Sequence, residues 1–249
     1  YEISVSGVPY EVMVDYDSLT IPEGTVSVGF SIETTYPVDE RVPENPGVAM
    51  MPADYRFGTS PTFGFKISDN FFNAALFALW EGGIFHLEDE PLWSDPEITG
   101  STDPRLPPMV AVGDPPFLLE LRVGDLIGTF RIVEADGSVF TFEAAISAVL
   151  PLDLDPIADG ETIRFDATFG KSTIAYDLLG IDSLPEELEA ASEAAMAELI
   201  DLQMADVEAY LESLEFSYLD LPVILTNLSI TPDAFNAHVL SLTGDAILR

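Results

Sequence analysis

Ser68-Asp69-Asn70-Phe71-Phe72-Asn73-Ala74-Ala75-Leu76-Phe77-Ala78-Leu79-Trp80-Glu81-Gly82-Gly83 is the stretch whose reading decides the fold. Ser68 and its polar neighbours can accept hydrogen bonds from the free N–H groups of a helix's first turn, and the glycine pair can end that helix. From Phe71 to Trp80 no residue carries a charge. A helix this apolar has to be enclosed rather than laid on a surface. The segments around it are mostly strand-like, so the expected class is α+β, a sheet folded about apolar helices. The functional question is whether side chains or a ligand fill the enclosed space.

Upstream, Val5 to Tyr16 and Val26 to Tyr36 alternate apolar and polar residues, the period of half-buried strands, with a turn at Pro22-Glu23-Gly24. The prolines and glycines of residues 37 to 62 predict a long loop, and Phe63 to Ile67 a short strand feeding the helix. Downstream, Ile84 to Leu87 reads as a strand and residues 89 to 108, rich in Pro and acid, as a second loop. From Met109 a meander is expected, with strands at 109–113, 116–122, 126–133, 138–149 and 162–178. Turns fall at Gly113-Asp114-Pro115, Val123-Gly124-Asp125 and Asp136-Gly137-Ser138, the Asp-Gly step being the strongest hairpin signal.

A second helix is predicted from about Ser183 to Leu214, roughly 45 Å long. Ser183 can cap it, Pro185 suits the first turn, and Glu186 can reach back as a capping box. Leu188, Ala195, Met196, Leu199, Ile200, Leu202, Val207, Tyr210, Leu211 and Leu214 recur at helical spacing, opposite a face carrying Glu186, Glu193, Asp201, Glu208, Glu212 and Glu215. No lysine offsets the repulsion on that outer face, so the apolar face must be well buried. Strands at Leu219 to Ile230 and Phe235 to Leu248 complete the chain, and all 249 residues are expected to form one domain.

Composition narrows the function. Nine Lys and Arg stand against 44 Asp and Glu, a formal charge of -35, which repels phosphate backbones and anionic headgroups and excludes nucleic acid as a partner. Such a surface suits a saline or divalent-rich surrounding. No apolar run approaches the roughly 18 to 20 residues that span a bilayer. Without cysteine there is no disulfide, thiolate metal site or cysteine nucleophile. The chain starts at Tyr1 with no leader-like segment and reads as mature or trimmed, so the missing leader says nothing against export.

The order of elements, hairpin, short apolar helix, meander, long amphipathic helix and closing strands, resembles the C-terminal half of the bactericidal/permeability-increasing protein and lipopolysaccharide-binding protein family, in the tubular lipid-binding (TULIP) superfamily. Ile67 to Ala75 look like that family's Ser-Asp-X-Phe-Phe-Asn-Thr-Ala helix start. Trp80 to Phe85 resemble its helix end, and Leu221 to Leu225 with Leu240 to Ala246 its closing strands. The resemblance implies a strongly curved antiparallel sheet wrapped around one long amphipathic and one short apolar helix, a half-barrel whose apolar tube holds acyl chains. Relatives carry two such barrels, and this chain has length for one. A second barrel could come from homodimerisation or from a half outside this sequence. The acidic surface departs from the cationic tip with which some relatives engage lipopolysaccharide, and argues against recognition of that headgroup.

Other chemistry has little support. His86 and His238 are far apart in sequence, with no Gly-X-Ser-X-Gly elbow, and chance carboxylate pairs are expected in so acidic a chain. An enzyme is therefore not expected, and no cofactor is implied. Asp153-Leu154-Asp155 with Asp159-Gly160-Glu161 offers carboxylates around a glycine for weak calcium binding, but the spacing misses the EF-hand and a solvated acidic turn is the plainer reading. The residues expected to line a lipid tube are Phe71, Phe72, Ala75 and Leu79 on the first helix and Ala195, Met196, Leu199, Ile200, Val207 and Leu211 on the second. The same residues, with Gln203, read equally as ordinary core. Alanines at 190, 191, 194, 195 and 197 leave room beside the long helix or simply favour helix. Two functions follow: an exported, periplasmic or envelope lipid-binding or lipid-transfer module, or a structural, adhesive envelope module with a packed, ligand-free barrel.

Overall fold

In the computed structural model the described residues are 2–5, 8–20, 27–35, 37–42, 63–94, 97–113, 116–159, 162–217, 223–234 and 237–248. Of the expectations above, the turn at Pro22-Glu23-Gly24, loop residues 43–62, Asp114, Pro115, Gly160, Glu161, the segment 218–222 and Phe235 lie outside them.

An N-terminal sheet in the order β1-β2-β3 is built from β1 (Glu2–Val5), β2 (Val8–Thr20) and β3 (Ser27–Thr35). A second three-stranded sheet contains β4 (Phe63–Ser68), β13 (Val223–Pro232) and β14 (Val239–Leu248), in the order β13-β14-β4. The largest sheet has eight strands: β5 (Glu90–Ser94), β6 (Glu97–Pro104), β7 (Met109–Val112), β8 (Leu119–Val133), β9 (Val139–Asp159), β10 (Thr162–Phe169), β11 (Thr173–Leu179) and β12 (Glu215–Ser217). All its pairings are antiparallel, and its path β12-β10-β9-β8-β6-β5 leaves it open. Helices α1 (Asp69–Glu81) and α2 (Glu186–Ser213) complete an α+β fold.

The opening stretch forms the helix its sequence predicts. Ser68 caps α1 by accepting from Asn70 N–H at 3.1 Å. Gly82, Gly83 and Ile84 then donate back to Ala78, Trp80 and Leu79. Those bonds overturn the strand expected at Ile84 to Leu87: Gly83 takes the left-handed φ of 77°, and its neighbours' N–H groups are spent closing the helix. Residues 89 to 108 are likewise not a loop. They form β5 and β6, with Pro91 on an edge strand and Pro104 at a strand end, places where a missing N–H costs little. The inward positions of β6 are Ile98, Gly100, Thr102 and Pro104, so its buried face has one aliphatic residue and no apolar alternation to read.

Three further expectations change. Val123-Gly124-Asp125 is a bulge inside the single strand β8, where the register shifts between Val123 and Leu126 and Asp125 has φ 51°. β9 continues past Val149 because Leu150, Leu152 and Leu154 keep alternating inward. Residues 162 to 178 divide into β10 and β11, both paired to the same edge of β9. The Asp-Gly hairpin forms as predicted: Gly137 N–H donates to the Glu134 carbonyl and Asp136 accepts from Ser138 N–H. Helix α2 is capped two residues later than its capping box implies, by Pro185 instead of Ser183, with no side-chain cap. Leu202, expected on its apolar face, is 37% exposed, while Gln203 beside it points inward.

Candidate functional site

The dry face of the large sheet, α1 and α2 share one continuous apolar core. On α1, Phe72, Ala75 and Leu79 are buried in it; Phe71 packs from its margin, its ring edge-on to Phe72 at 5.2 Å. On α2, Ala195, Met196, Leu199, Ile200, Val207 and Leu211 are all buried in the same core. The nine buried members of the expected lining are 0–4% exposed, so each meets other side chains on every side.

Two polar anchors set where α1 lies. Asn73 bonds both backbone groups of Val110 on β7, and Trp80 Nε1–H donates to the Pro104 carbonyl at 3.0 Å. Helix α2 packs against β10, β5 and β6. Its Leu199 lies over Gly100 of β6, where a Cβ would meet Leu92 Cδ1 at 2.5 Å and Leu199 Cδ1 at 3.3 Å. Gly100 thus leaves room chiefly for Leu92 of β5, and secondarily for Leu199 of α2.

One turn on from Leu199, Gln203 makes a further polar contact inside the core. Its Nε2 donates to the Phe85 carbonyl at 2.9 Å and to Thr102 Oγ1 at 3.2 Å. Thr102 Oγ1 in turn donates to Phe85 O at 2.6 Å and accepts from Leu87 N–H at 2.8 Å. This network joins α2, β6 and the segment after α1. Sequence reasoning placed Gln203 on the inner face without giving it a role; a lone amide among aliphatic residues at helical spacing was the available signal.

Charged groups gather at two places beside the core. After β3, Asp39 is gripped by Arg41 and its N–H donates to Glu81 O, while Arg41 also reaches Glu88 at 2.8 Å. The Arg41 hydrogen bonds hold the Asp39 carboxyl down to about 2. Nearby, burial pushes the His86 imidazole below its ordinary range, and Arg41 adds to the effect. His86 lies in the segment after α1 rather than in a strand. At the other place, Lys66 on β4 pairs with buried Asp233, which also accepts from Ser241 Oγ at 2.8 Å. His238 Nδ1 contacts the buried Asp69 carboxylate at 2.8 Å.

Of the calcium candidates, Asp153 and Asp155 stand in β9, opposite Thr168 and Asp166 of β10, rather than in a turn. Among the described residues no three His, Asp or Glu side chains converge to hold a metal ion. No helix among them is long and apolar enough to cross a membrane.

No protein-family model and no curated protein matches the chain. Among solved structures it is similar to the crystal structure of lipopolysaccharide binding protein, with 13% identity and a TM-score of 0.41, over 95% of this chain and 55% of that one. The chain spans about half the length of that structure.

Proposed function

We propose that the protein binds lipid acyl chains between α2 and the dry face of the large sheet, with α1 at the margin of the site. The observation that supports this reading is the composition of the layer where α2 meets β6 and β10. Helix α2 brings the buried Ala195, Met196 and Met204 to it, and the strands bring the buried Gly100 and Ala167, a set of small and adaptable residues. Small residues close down on one another when no guest is present, and thioethers repack around one that enters. Helix α2 has no side-chain cap and carries acidic residues without a single Lys or Arg, so it is docked chiefly by apolar contact and is the wall that moves outward. Each buried CH2 of a guest contributes about 0.8 kcal/mol, which needs no catalytic group. Phe71, Phe72, Ala75 and Leu79, with Ala195, Met196, Leu199, Ile200, Val207 and Leu211, are the proposed lining, and an exported or envelope location goes with the reading.

The test is mass spectrometry of organic extracts from natively purified protein, together with uptake of a fluorescent fatty acid. A stoichiometric lipid is expected; an empty extract without uptake overturns the reading.

A second reading, a packed structural or adhesive module, is favoured by the near-zero exposure of the same lining and by an exposed cross-strand pair, Ile224 with Ile247. It predicts self-association in sedimentation and an empty extract.

A further inference from the structure

Gln203 is 1% exposed, and its Oε1 has no hydrogen-bond partner among the described residues. The amide cannot turn over to cure this. Reversal would set Oε1 against the Phe85 carbonyl, two acceptors face to face, and would forfeit the Nε2 bonds to Phe85 O and Thr102 Oγ1. Thr102 Oγ1 has no donor left, since its hydrogen is committed to Phe85 O. The other orphaned atom on this helix, Ser192 Oγ, differs: a serine hydroxyl can rotate onto the carbonyl of the preceding turn. Gln203 thus holds a fixed acceptor inside a hydrocarbon layer, between α2 and β6, where the lining residue Leu199 lies one turn away.

Resting on the lipid-binding reading above, we propose that Gln203 Oε1 is the polar anchor of the site and accepts a hydrogen bond from a hydroxyl carried by the ligand. The ligand class narrows accordingly to long-chain lipids with a hydroxyl donor, fatty alcohols being the simplest, over chains that carry only ether or ester oxygens. A buried acceptor left unmade is costly, and a chain that brings a donor removes that cost while an equally long chain without one does not. Discrimination then comes from the donor, whereas affinity comes from the chain.

The test compares 1-hexadecanol with its methyl ether, each displacing a fluorescent fatty probe from the wild-type protein and from Gln203→Met, which keeps the volume and loses the acceptor. Wild type is expected to prefer the alcohol at least tenfold, and Gln203→Met to bind both equally. Equal affinities in wild type, or a preference that survives in Gln203→Met, overturn the anchor while leaving lipid binding in place. Binding of neither ligand by wild type overturns both. Gln203 is the sole glutamine of the chain, so a folding defect in the variant is no obstacle. With 13C-glutamine labelling, the side-chain carbonyl band of wild-type protein is expected to move to lower wavenumber with the alcohol and stay put with the ether. An unmoved band with bound alcohol overturns the anchor.

Discussion

Asn73 pairs with Val110 as another strand would. Its Nδ2 donates to the Val110 carbonyl at 3.0 Å and its Oδ1 accepts from the Val110 N–H at 2.6 Å, so a helix side chain closes the edge of β7. Replacing it by leucine keeps the volume and leaves both backbone groups buried and unpaired, at about 1–3 kcal/mol each. Urea denaturation of Asn73→Leu is expected to show a loss of roughly 2–5 kcal/mol. A loss under about 0.5 kcal/mol, the size of an ordinary surface substitution, would mean that water reaches this edge.

The Lys66 and Asp233 side chains are each 4% exposed and face one another across the small sheet. Removing one partner strands a buried charge, so Lys66→Met is expected to cost about 3–5 kcal/mol. The double variant Lys66→Met/Asp233→Leu is expected to recover most of that loss. A double variant as unstable as the sum of the two singles would show that the charges do not act as a pair.

The His86 imidazole is held below its ordinary value by burial and then by Arg41, with Asp39 and Asp103 pulling the other way. A histidine kept neutral by folding contributes nothing to the pH dependence well above about 6.5. As pH falls through that value the unfolded chain takes up the proton and the folded one does not, so stability drops until the depressed folded value is reached. His86→Gln is expected to flatten this part of the melting profile between pH 7.5 and 5. Asp39 works at lower pH: with its carboxyl down at about 2 from 3.8, its contribution is present above 3.8 and is lost as pH falls between those values. Asp39→Asn is expected to remove that lower step alone, and profiles unchanged by either variant would count against both assignments.

Like charges one turn apart, Glu189 with Glu193 and Glu208 with Glu212, run along α2 in a chain of formal charge -35. Each such pair costs a few tenths of a kcal/mol, and 1 M salt shortens the screening length to about 3 Å. The melting temperature is expected to rise by at least about 3 °C between 0.05 and 1 M NaCl. A flat response would mean that apolar docking already overrides the repulsion.

Ile200 and Ala195 lie on the face of α2 proposed to meet the ligand. Ile200→Trp is expected to unfold cooperatively and to lose fatty-acid uptake; full uptake would remove α2 from the site. Ala195→Trp separates the two readings, because inserting an indole into a rigid core costs about 3 kcal/mol or more, whereas a wall that moves outward accommodates it.

The helix Asp69–Glu81 was legible because its cap, apolar run and glycine end all lie within sixteen letters and each has a local cause. The hairpin β5–β6 was not, because Thr102 faces inward for a reason supplied by Gln203, about a hundred residues further on, and Gly100 because Leu92 and Leu199 fill the space beside it. The bulge at Val123 to Leu126 read as a turn since Gly-Asp serves either, and only the unbroken partner strand β9 decides between them. Leu202 was assigned inward and Gln203 outlined only as core, because a hydropathy stripe cannot see which side chain has a carbonyl waiting opposite. Helical spacing sufficed to gather nine of the ten expected lining residues into one core, with Phe71 at its margin, because burial of a helix face follows from its own period.

Strand β4 has its ladder partner in β14, with Ser68 in register with Val239. On the ribosome these two are separated by about 170 residues of synthesis, roughly 10–35 s at 5–20 residues per second. Throughout that interval the Lys66 ammonium has no Asp233 and the apolar helix behind Ser68 lacks the sheet that anchors its start. The two ends of α1 therefore settle at different times: Asn73 and Trp80 can dock on Val110 and Pro104 soon after the helix is made, whereas the strand that leads into Ser68 waits for Val239.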